Sequence, residues 1–554
     1  MPDYTLALHP ATDGFGSHDP SAVVFVDGEL VFGVEEERLT REKHAPRTFP
    51  ARAVRACLRH CGVDLSDVDR VVLPWGDRPG TARSGAGSPA TPSTDATHAT
   101  EPLERRLRAL DCGRPVPPIE RHDHHRCHAA SGFYPSGFDE SVVLTLDGRG
   151  NRWSTAVWVG DEDGLRRLDG YAPPNSLGYF YAAVTAYLGF EPFGGEGKLM
   201  GLAAYGERDG EIESRLRSVV DTGVGYDVTE LVGHGVPSAV GRLEHLFGRT
   251  FHRPPDPSDR WATNLARVAQ ALLEETVVAL VADHCDRQGV GDVCLAGGVA
   301  LNCTLNRRVA ESDPVERLFV QPVAHDAGAP VGAGLIAAGA PRTRLRTVSL
   351  GPSFTPRGIE RSLDRSGLDY TRLSDSDRLV DTTADRLADG ALVGWFQGRA
   401  ELGPRALGNR SVLADPRSWD AAARVNAFVK RREAWRPLAP SLPASAADRY
   451  LDAARDSPFM IDSFAVPPAR RAEIPAVVHP GDGTTRPQTV HPEVHPRYHQ
   501  LLEAFGDRTG VPVLLNTSFN RRGEPIVTTP AEALETFAET ALDRLVLGEF
   551  VVDS

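Results

Sequence analysis

The apolar positions fall first into a strand, "YTLALHP", and then into a hairpin, "SAVVFVDGELVFGVEEER", whose Asp27-Gly28 pair marks a tight turn. The same succession returns about 120 residues later in "ESVVLTLDGRGNRWSTAVWVGDEDGLRRL", a strand, a polar glycine loop and two strands around Glu162-Asp163-Gly164. A unit used twice points to a duplicated α/β domain. A helical period over 264–285 predicts a long helix, followed by the apolar strand of "DVCLAGGVALN". A Gly/Ala-rich helix is expected over 332–340, and "APRTRLRTVSLGPSFTP" reads as a linker near residue 345. Beyond it, "LVGWFQG" and "VPVLLNTSF" read as buried strands. We therefore expect two α/β domains, 1–345 and 346–554. Residues 76–102 are rich in Pro, Gly, Ser and Thr, with almost no large apolar side chain, and predict a mobile loop.

Composition narrows the classes. At 554 residues with 41% hydrophobic and 25% charged, the chain can bury large cores. The net charge is −14 and no basic block occurs, which argues against a nucleic-acid partner. Seven scattered cysteines without a CxxC pair point to a reducing compartment. No basic-then-apolar leader and no membrane-length apolar run is present, so we expect a soluble cytoplasmic protein without membrane contact. Only three lysines occur, Lys43, Lys198 and Lys430. An ammonium and a guanidinium are not interchangeable, so these three are candidates for work that arginine cannot do.

The candidate chemistry begins with "RHDHHRCHAASGFYP". His124 and His128 are four apart, which puts both rings on one helical face. Asp147 ends the strand "SVVLTLD" before Gly148 and Gly150, and Asp326 follows an apolar run and precedes a glycine-rich helix. Carboxylates in such places meet phosphates and their metal ions. Two imidazoles with one or two carboxylates suit Fe, Mn or Zn. His491, His495 and His499 repeat the spacing, but Pro492 and Pro496 interrupt a shared face, so that stretch reads as a loop.

Several stretches resemble the O-carbamoyltransferases of the NodU/CmcH/TobZ family. They are "HDPSAVVFVDGELVFGVEEERLTREKH", "HHRCHAASGF", "SLGYFYAAVTAYLGFEPFGGEGKLMGLAAYG", "LAGGVALN", "GRAELGPRALGNRS", "VKRREAWRPLAPS", "TTRPQTV" and "NTSFNRRGEPIV". The resemblance implies an N-terminal actin-like (ASKHA, TsaD-like) domain and a C-terminal YrdC/TsaC-like domain. It implies that the C-terminal domain makes carbamoyl adenylate from ATP and carbamoyl phosphate. The carbamoyl group then passes to a hydroxyl of a small-molecule acceptor, with the help of a metal. By this analogy His124, His128 and Asp326 are metal ligands, with iron the first expectation, and Asp147 lies at the nucleotide and metal, where Mg is also compatible. Arg405, Lys430, Arg436 and Arg486 would bind the anions as bidentate forks and a point charge. Asn516 and Ser518 would offer hydrogen bonds, or else form a structural turn. Gly148, Gly150, Gly297, Gly298, Asn302 and Lys198 would hold nucleotide in the first domain, or else mark tight packing.

His18 and His44 are the candidate base and oxyanion partner, His18 preferred as base. His122 and His125 read as polar neighbours, His9 and His234 as structural donors, and Arg431 and Arg432 as surface ion-pair residues. Two other readings compete: an actin-fold ATPase or sugar kinase, which has no use for the C-terminal cations, and a tRNA threonylcarbamoyl-modifying enzyme, which needs a basic face. The acceptor and the oligomeric state are open, a homodimer being compatible.

Overall fold

The computed structural model describes residues 2–12, 16–76, 96–110, 115–339 and 342–554. Contacts group the chain into two compact units. The first comprises Met1–Gly178, Gln288–Ala300 and Arg317–Leu345; the second comprises Tyr179–Arg287, Leu301–Glu316 and Arg346–Ser554. One break between the units falls at 345/346. The segments 179–287 and 301–316 group with the C-terminal part, a long-range association that a linear boundary does not capture.

The first unit holds two five-stranded sheets. In one, β1 (Tyr4–His9), β2 (Ser21–Val26), β3 (Glu29–Glu35), β4 (Arg70–Leu73) and β5 (Ile119–Arg121) lie in the order β3-β2-β1-β4-β5. In the other, β6 (Ser141–Leu146), β7 (Thr155–Asp161), β8 (Gly164–Tyr171), β9 (Asp292–Ala296) and β10 (Arg317–Val320) lie in the order β10-β9-β6-β7-β8. Each sheet has an antiparallel three-stranded meander joined through its first strand to two parallel strands. The duplicated pattern in the sequence is thus a duplicated topology. Asp27 and Gly28 both have positive φ, as the two-residue hairpin turn demands.

Helix Ala329–Ala337 packs on the first sheet and helix His124–Phe133 on the second, and the two helices pack on each other. The Gly/Ala composition makes this possible. A Cβ on Gly332 would lie 1.8 Å from the Cys127 carbonyl oxygen, so only glycine lets the two backbones approach this closely. The helix spans 329–337 rather than 332–340, since Pro330 opens its first turn.

The second unit contains the long helix Arg260–Gln288, which includes the expected 264–285. Its main sheet uses β11 (Thr371–Arg372), β12 (Val393–Phe396), β13 (Arg410–Ala414), β14 (Ala439–Pro443), β17 (Gln488–Val490), β18 (Leu514–Ser518), β19 (Arg544–Leu547) and β20 (Phe550–Asp553). The order is β11-β20-β19-β12-β13-β18-β14-β17, and β15 (Phe464–Ala465) and β16 (Thr484–Thr485) form a separate pair. Two apolar clusters, around Leu392, Val412 and Phe550 and around Trp395, Leu413 and Phe505, make up its cores. "LVGWFQG" and "VPVLLNTSF" are the buried β12 and β18.

Two expectations change. Helix Ala96–Leu110 takes up the end of the proposed 76–102 loop, while 77–95 lie outside the described residues. His499 sits in helix Pro496–Thr509, because Pro496 occupies the first helical turn, where a missing N–H costs nothing. Among the described residues no helix is long and apolar enough to cross a membrane.

Candidate functional site

The His124–Phe133 helix starts at Asp123, whose carboxylate accepts from Arg126 N at 3.0 Å. That cap fixes the first turn, and His124 and His128 follow one turn apart, both completely buried. Their Nε2 atoms are 3.1 Å apart. Asp147 Oδ2 lies 3.1 Å from His124 Nε2 and 3.5 Å from His128 Nε2, and Asp326 Oδ1 lies 3.3 and 3.6 Å from the same atoms. One ligand atom from each of the four residues falls within 4.8 Å of the others. The four predicted ligands therefore converge, from a helix, a strand end and the turn before a second helix.

The donor set fits a divalent first-row metal: two nitrogens and two carboxylate oxygens, with Asp147 half-buried and the other three residues buried. His124 Nδ1 lies 3.2 Å from the Pro74 carbonyl oxygen, the second contact that commonly leaves the other ring nitrogen for a metal. Electrostatics agree. Burial, and for Asp147 its neighbour Asp326, would raise the carboxylates. The two imidazoles outweigh this and hold both well below the usual range. Burial likewise pulls His124 down, yet the carboxylates push it up to about 10. A divalent cation would satisfy both carboxylates with the rings neutral.

Asp19 organises the next layer. Its Oδ2 is 2.9 Å from His18 Nδ1 and its Oδ1 is 2.8 Å from His44 Nδ1. Burial opposes charge on His18, but the Asp19 bond and the fields of Asp326 and Asp147 push it up to about 9. His44 is also raised, chiefly by its bond to Asp19. The structure thus places the two candidate histidines on one carboxylate. Two residues that the sequence did not single out join them. His9, read as a structural donor, has Nε2 3.6 Å from Asp326 Oδ2, and Trp75 stacks on His124. His9 hides in the sequence because it ends an otherwise apolar strand. His125 is bonded to Thr145 Oγ1 at 2.8 Å and His122 Nε2 is 3.8 Å from Glu120, both outside the cluster as expected.

Gly148, Gly150, Gly297 and Gly298 gather at the Asp147 end of β6. Gly148 N donates to Asp147 Oδ1 at 2.8 Å, a Cβ on Gly298 would lie 3.2 Å from that oxygen, and one on Gly150 would lie 2.6 Å from the His125 ring. One on Gly297 would meet the Leu146 backbone at 2.3 Å. Asn302 and Lys198 belong to the second unit. The Asn302 amide is taken up locally, capping helix Cys303–Ala310 through Leu305 N at 3.0 Å and bonding Gln270 at 2.9 Å. Lys198 Nζ lies 4.0 Å from Glu433. The Asn302 side chain is thus taken up by the second unit's own structure, while Lys198 stays partly exposed.

A cluster of cations forms in the second unit. Glu401 is buried and accepts from the backbone N of Leu407 at 2.6 Å and Asn409 at 2.9 Å, folding the "GPRALGN" loop that carries Arg405. Burial first, then the charge of Arg486, pushes Arg405 down to about 9, and its buried Nε has no partner. Arg436 is also lowered, by burial and by Arg486. Arg432 corrects our surface reading. Burial and the charge of Arg436 push it down to about 9, and its Nε donates to Asn426 Oδ1 at 2.7 Å. Arg431 does fit that reading, exposed and donating to the Glu539 carbonyl. Among the described residues one carboxylate stands in ion-pair range of these guanidiniums, Glu433, 3.8 Å from Arg436. Mutually repelling, half-buried cations of this kind would suit an anion. Lys430 differs: its ammonium donates to the Ser518 carbonyl, to Ser518 Oγ at 2.9 Å and to Asn520 Oδ1 at 2.6 Å. Lys430 and Ser518 form one polar knot at the end of β18. Asn516 Nδ2 donates to Ser441 Oγ at 2.9 Å, leaving its buried Oδ1 without a partner.

Comparison with known proteins meets this geometry. The family model described as carbamoyltransferase N-terminus matches residues 14–83 and 106–335, and that described as carbamoyltransferase C-terminus matches 384–554. Nodulation protein NolNO of Sinorhizobium fredii is 38% identical, over 97% of this chain and 79% of the relative. Nodulation protein NolO of Bradyrhizobium diazoefficiens is 40% identical, over 78% of each. The 3'-hydroxymethylcephem-O-carbamoyltransferase of Amycolatopsis lactamdurans is 27% identical, over 96% of this chain and 97% of its own. Among solved structures, T.kodakarensis HypF aligns with a TM-score of 0.35 at 15% identity, over 61% of this chain and 49% of that one, too slight a likeness to argue from. With both parts matched and relatives at 38% and 40% identity covered over more than three quarters of their length, the chain belongs to the carbamoyltransferase family and is an O-carbamoyltransferase.

Proposed function

We propose that the enzyme works in two stages, the first at the arginines of the second unit and the second at the His124/His128 cluster of the first. The first-unit fold is read as actin-like and the C-terminal sheet as YrdC-like, and the setting as cytoplasmic. In stage one, water releases carbamate and orthophosphate from carbamoyl phosphate. A carbamate oxygen then attacks the α-phosphorus of ATP, and pyrophosphate leaves. Both substrates are dense anions, and Arg405, Arg432, Arg436 and Arg486 supply cations with one carboxylate in ion-pair range among the described residues, Glu433 beside Arg436. That cluster is the observation that carries the reading.

In stage two, an acceptor hydroxyl attacks the carbamoyl carbon and AMP leaves. An alcohol needs its proton removed, and the reading gives that role to His18, whose Nδ1 is held by Asp19. Its elevation depends partly on Asp326 and Asp147, whose charges a bound cation compensates. His124, His128, Asp147 and Asp326 would hold a divalent transition metal, which when bound supplies Lewis acidity toward the carbonyl or the leaving phosphate. The acceptor is read as a small natural-product hydroxyl, such as a sugar, a hydroxymethyl group or a macrolactam alcohol.

The test uses the purified protein with ATP and carbamoyl phosphate, following pyrophosphate release and carbamoyl adenylate by mass spectrometry. Arg405→Ala should lower adenylate formation by about a hundredfold or more. His128→Ala should retain adenylate formation while losing transfer to an acceptor alcohol. Loss of the same step in both variants would show that the two stages are not divided this way.

A further inference from the structure

Trp75 and His9 lie beside the metal ligands, yet the proposed reaction does not use them. Trp75 follows β4 and stacks on His124 with ring centroids 4.1 Å apart. Its indole Nε1 donates to His9 Nδ1 at 3.0 Å. An indole N–H can only donate, so His9 Nδ1 must accept. The His9 ring is therefore neutral and carries its proton on Nε2. That nitrogen lies 3.1 Å from the His18 carbonyl oxygen and 3.6 Å from Asp326 Oδ2. Both side chains are buried, His9 completely, so the direction of this chain is fixed without competition from solvent.

We propose that Trp75 and His9 form a relay of fixed hydrogen-bond direction that ends on the loop carrying His18, and that the His9 N–H so oriented, 3.6 Å from Asp326 Oδ2, keeps that carboxylate ready for a divalent cation. Both are positioning residues, and the inference rests on the metal reading above. Outer contacts of this kind commonly govern metal affinity by ten- to a hundredfold, roughly.

The test titrates the metal-free full-length protein with Co2+ against a chromophoric chelator and reads the d–d spectrum in parallel. Trp75→Phe keeps the stacked ring and deletes only the N–H. It should weaken Co2+ binding by about tenfold and alter the d–d bands, as should His9→Ala. His9→Gln, whose side-chain amide can donate from nearly the same place, should restore most of the affinity. Folded variants that bind Co2+ within about twofold of wild type, with unchanged spectra, would overturn the relay while leaving the metal reading intact. If His9→Ala does not fold, Trp75→Phe decides alone. Wild-type protein that takes up no Co2+ overturns both the metal reading and the relay.

Discussion

At the residue scale, Asp19 sets the protonation of its surroundings. It sits at a positive φ of 57° and engages both His18 and His44. Each contact favours the imidazolium, so each raises the ring it touches. If His18 must be neutral to accept the alcohol proton, the rate of transfer rises with pH through the His18 pKa. Asp19→Asn removes the charge but keeps a polar group of the same shape, and it must lower that pKa. We therefore expect the acid limb of kcat/KM against pH to move to lower pH in Asp19→Asn, with a smaller plateau because the ring is less firmly held. An acid limb that stays in place would remove His18 from the role of base. Arg432 carries a second residue-scale expectation: Arg432→Gln should raise the KM for carbamoyl phosphate or ATP with little change in melting temperature, measured by steady-state pyrophosphate release.

At the element scale, the metal ligands depend on two helices that touch backbone to backbone. Gly332→Ala would push a methyl group into the Cys127 carbonyl, 1.8 Å away, and neither backbone can give without displacing His124, His128 or Asp326. Overpacking of this kind costs about 1–3 kcal/mol, and here it should also weaken Co2+ binding. Gly241 is the control. It lies within helix Val236–Phe247 with nothing within 4 Å of its Cβ position, so Gly241→Ala should stabilise by about 0.5–1 kcal/mol and leave metal binding unchanged. Thermal melts of the two variants check both signs. This scale is also where the sequence was most legible. Apolar runs bounded by turn residues point to β1 to β3 and β6 to β8, and a helical period to the long helix, because both are local signals. The His124/His128 pair and the strand-end Asp147 were legible for the same reason. His9 was not, because a buried histidine at a strand end looks like a core position until a distant Trp75 is folded against it. Arg432 was hidden by an arginine-rich composition. Its burial depends on Asn426, in the π-turn Val425–Val429, also accepting its Nε.

At the scale of the whole molecule, one chain carries two kinds of charged site of opposite character. The first unit gathers carboxylates that would suit a cation, and the second gathers half-buried guanidiniums that would suit an anion. Each site is assembled from segments far apart in sequence, so each ligand should protect a distinct and discontinuous set of backbone amides. A cation should slow hydrogen exchange in 124–133, 141–150 and 323–332, the helix, strand end and turn that supply its ligands. Carbamoyl phosphate should slow exchange in 399–410, 425–436 and 484–490, the loops that carry Arg405, Arg432, Arg436 and Arg486. Both effects follow from linkage: a ligand that binds only the closed form stabilises it by about 2.7 kcal/mol at a hundred times its Kd. Peptide-level exchange with Co2+ alone, carbamoyl phosphate alone and the two together separates the contributions. Protection of the arginine loops by Co2+ alone, or of 124–133 by carbamoyl phosphate alone, would mean that the oppositely charged clusters do not bind the ligands their charges select.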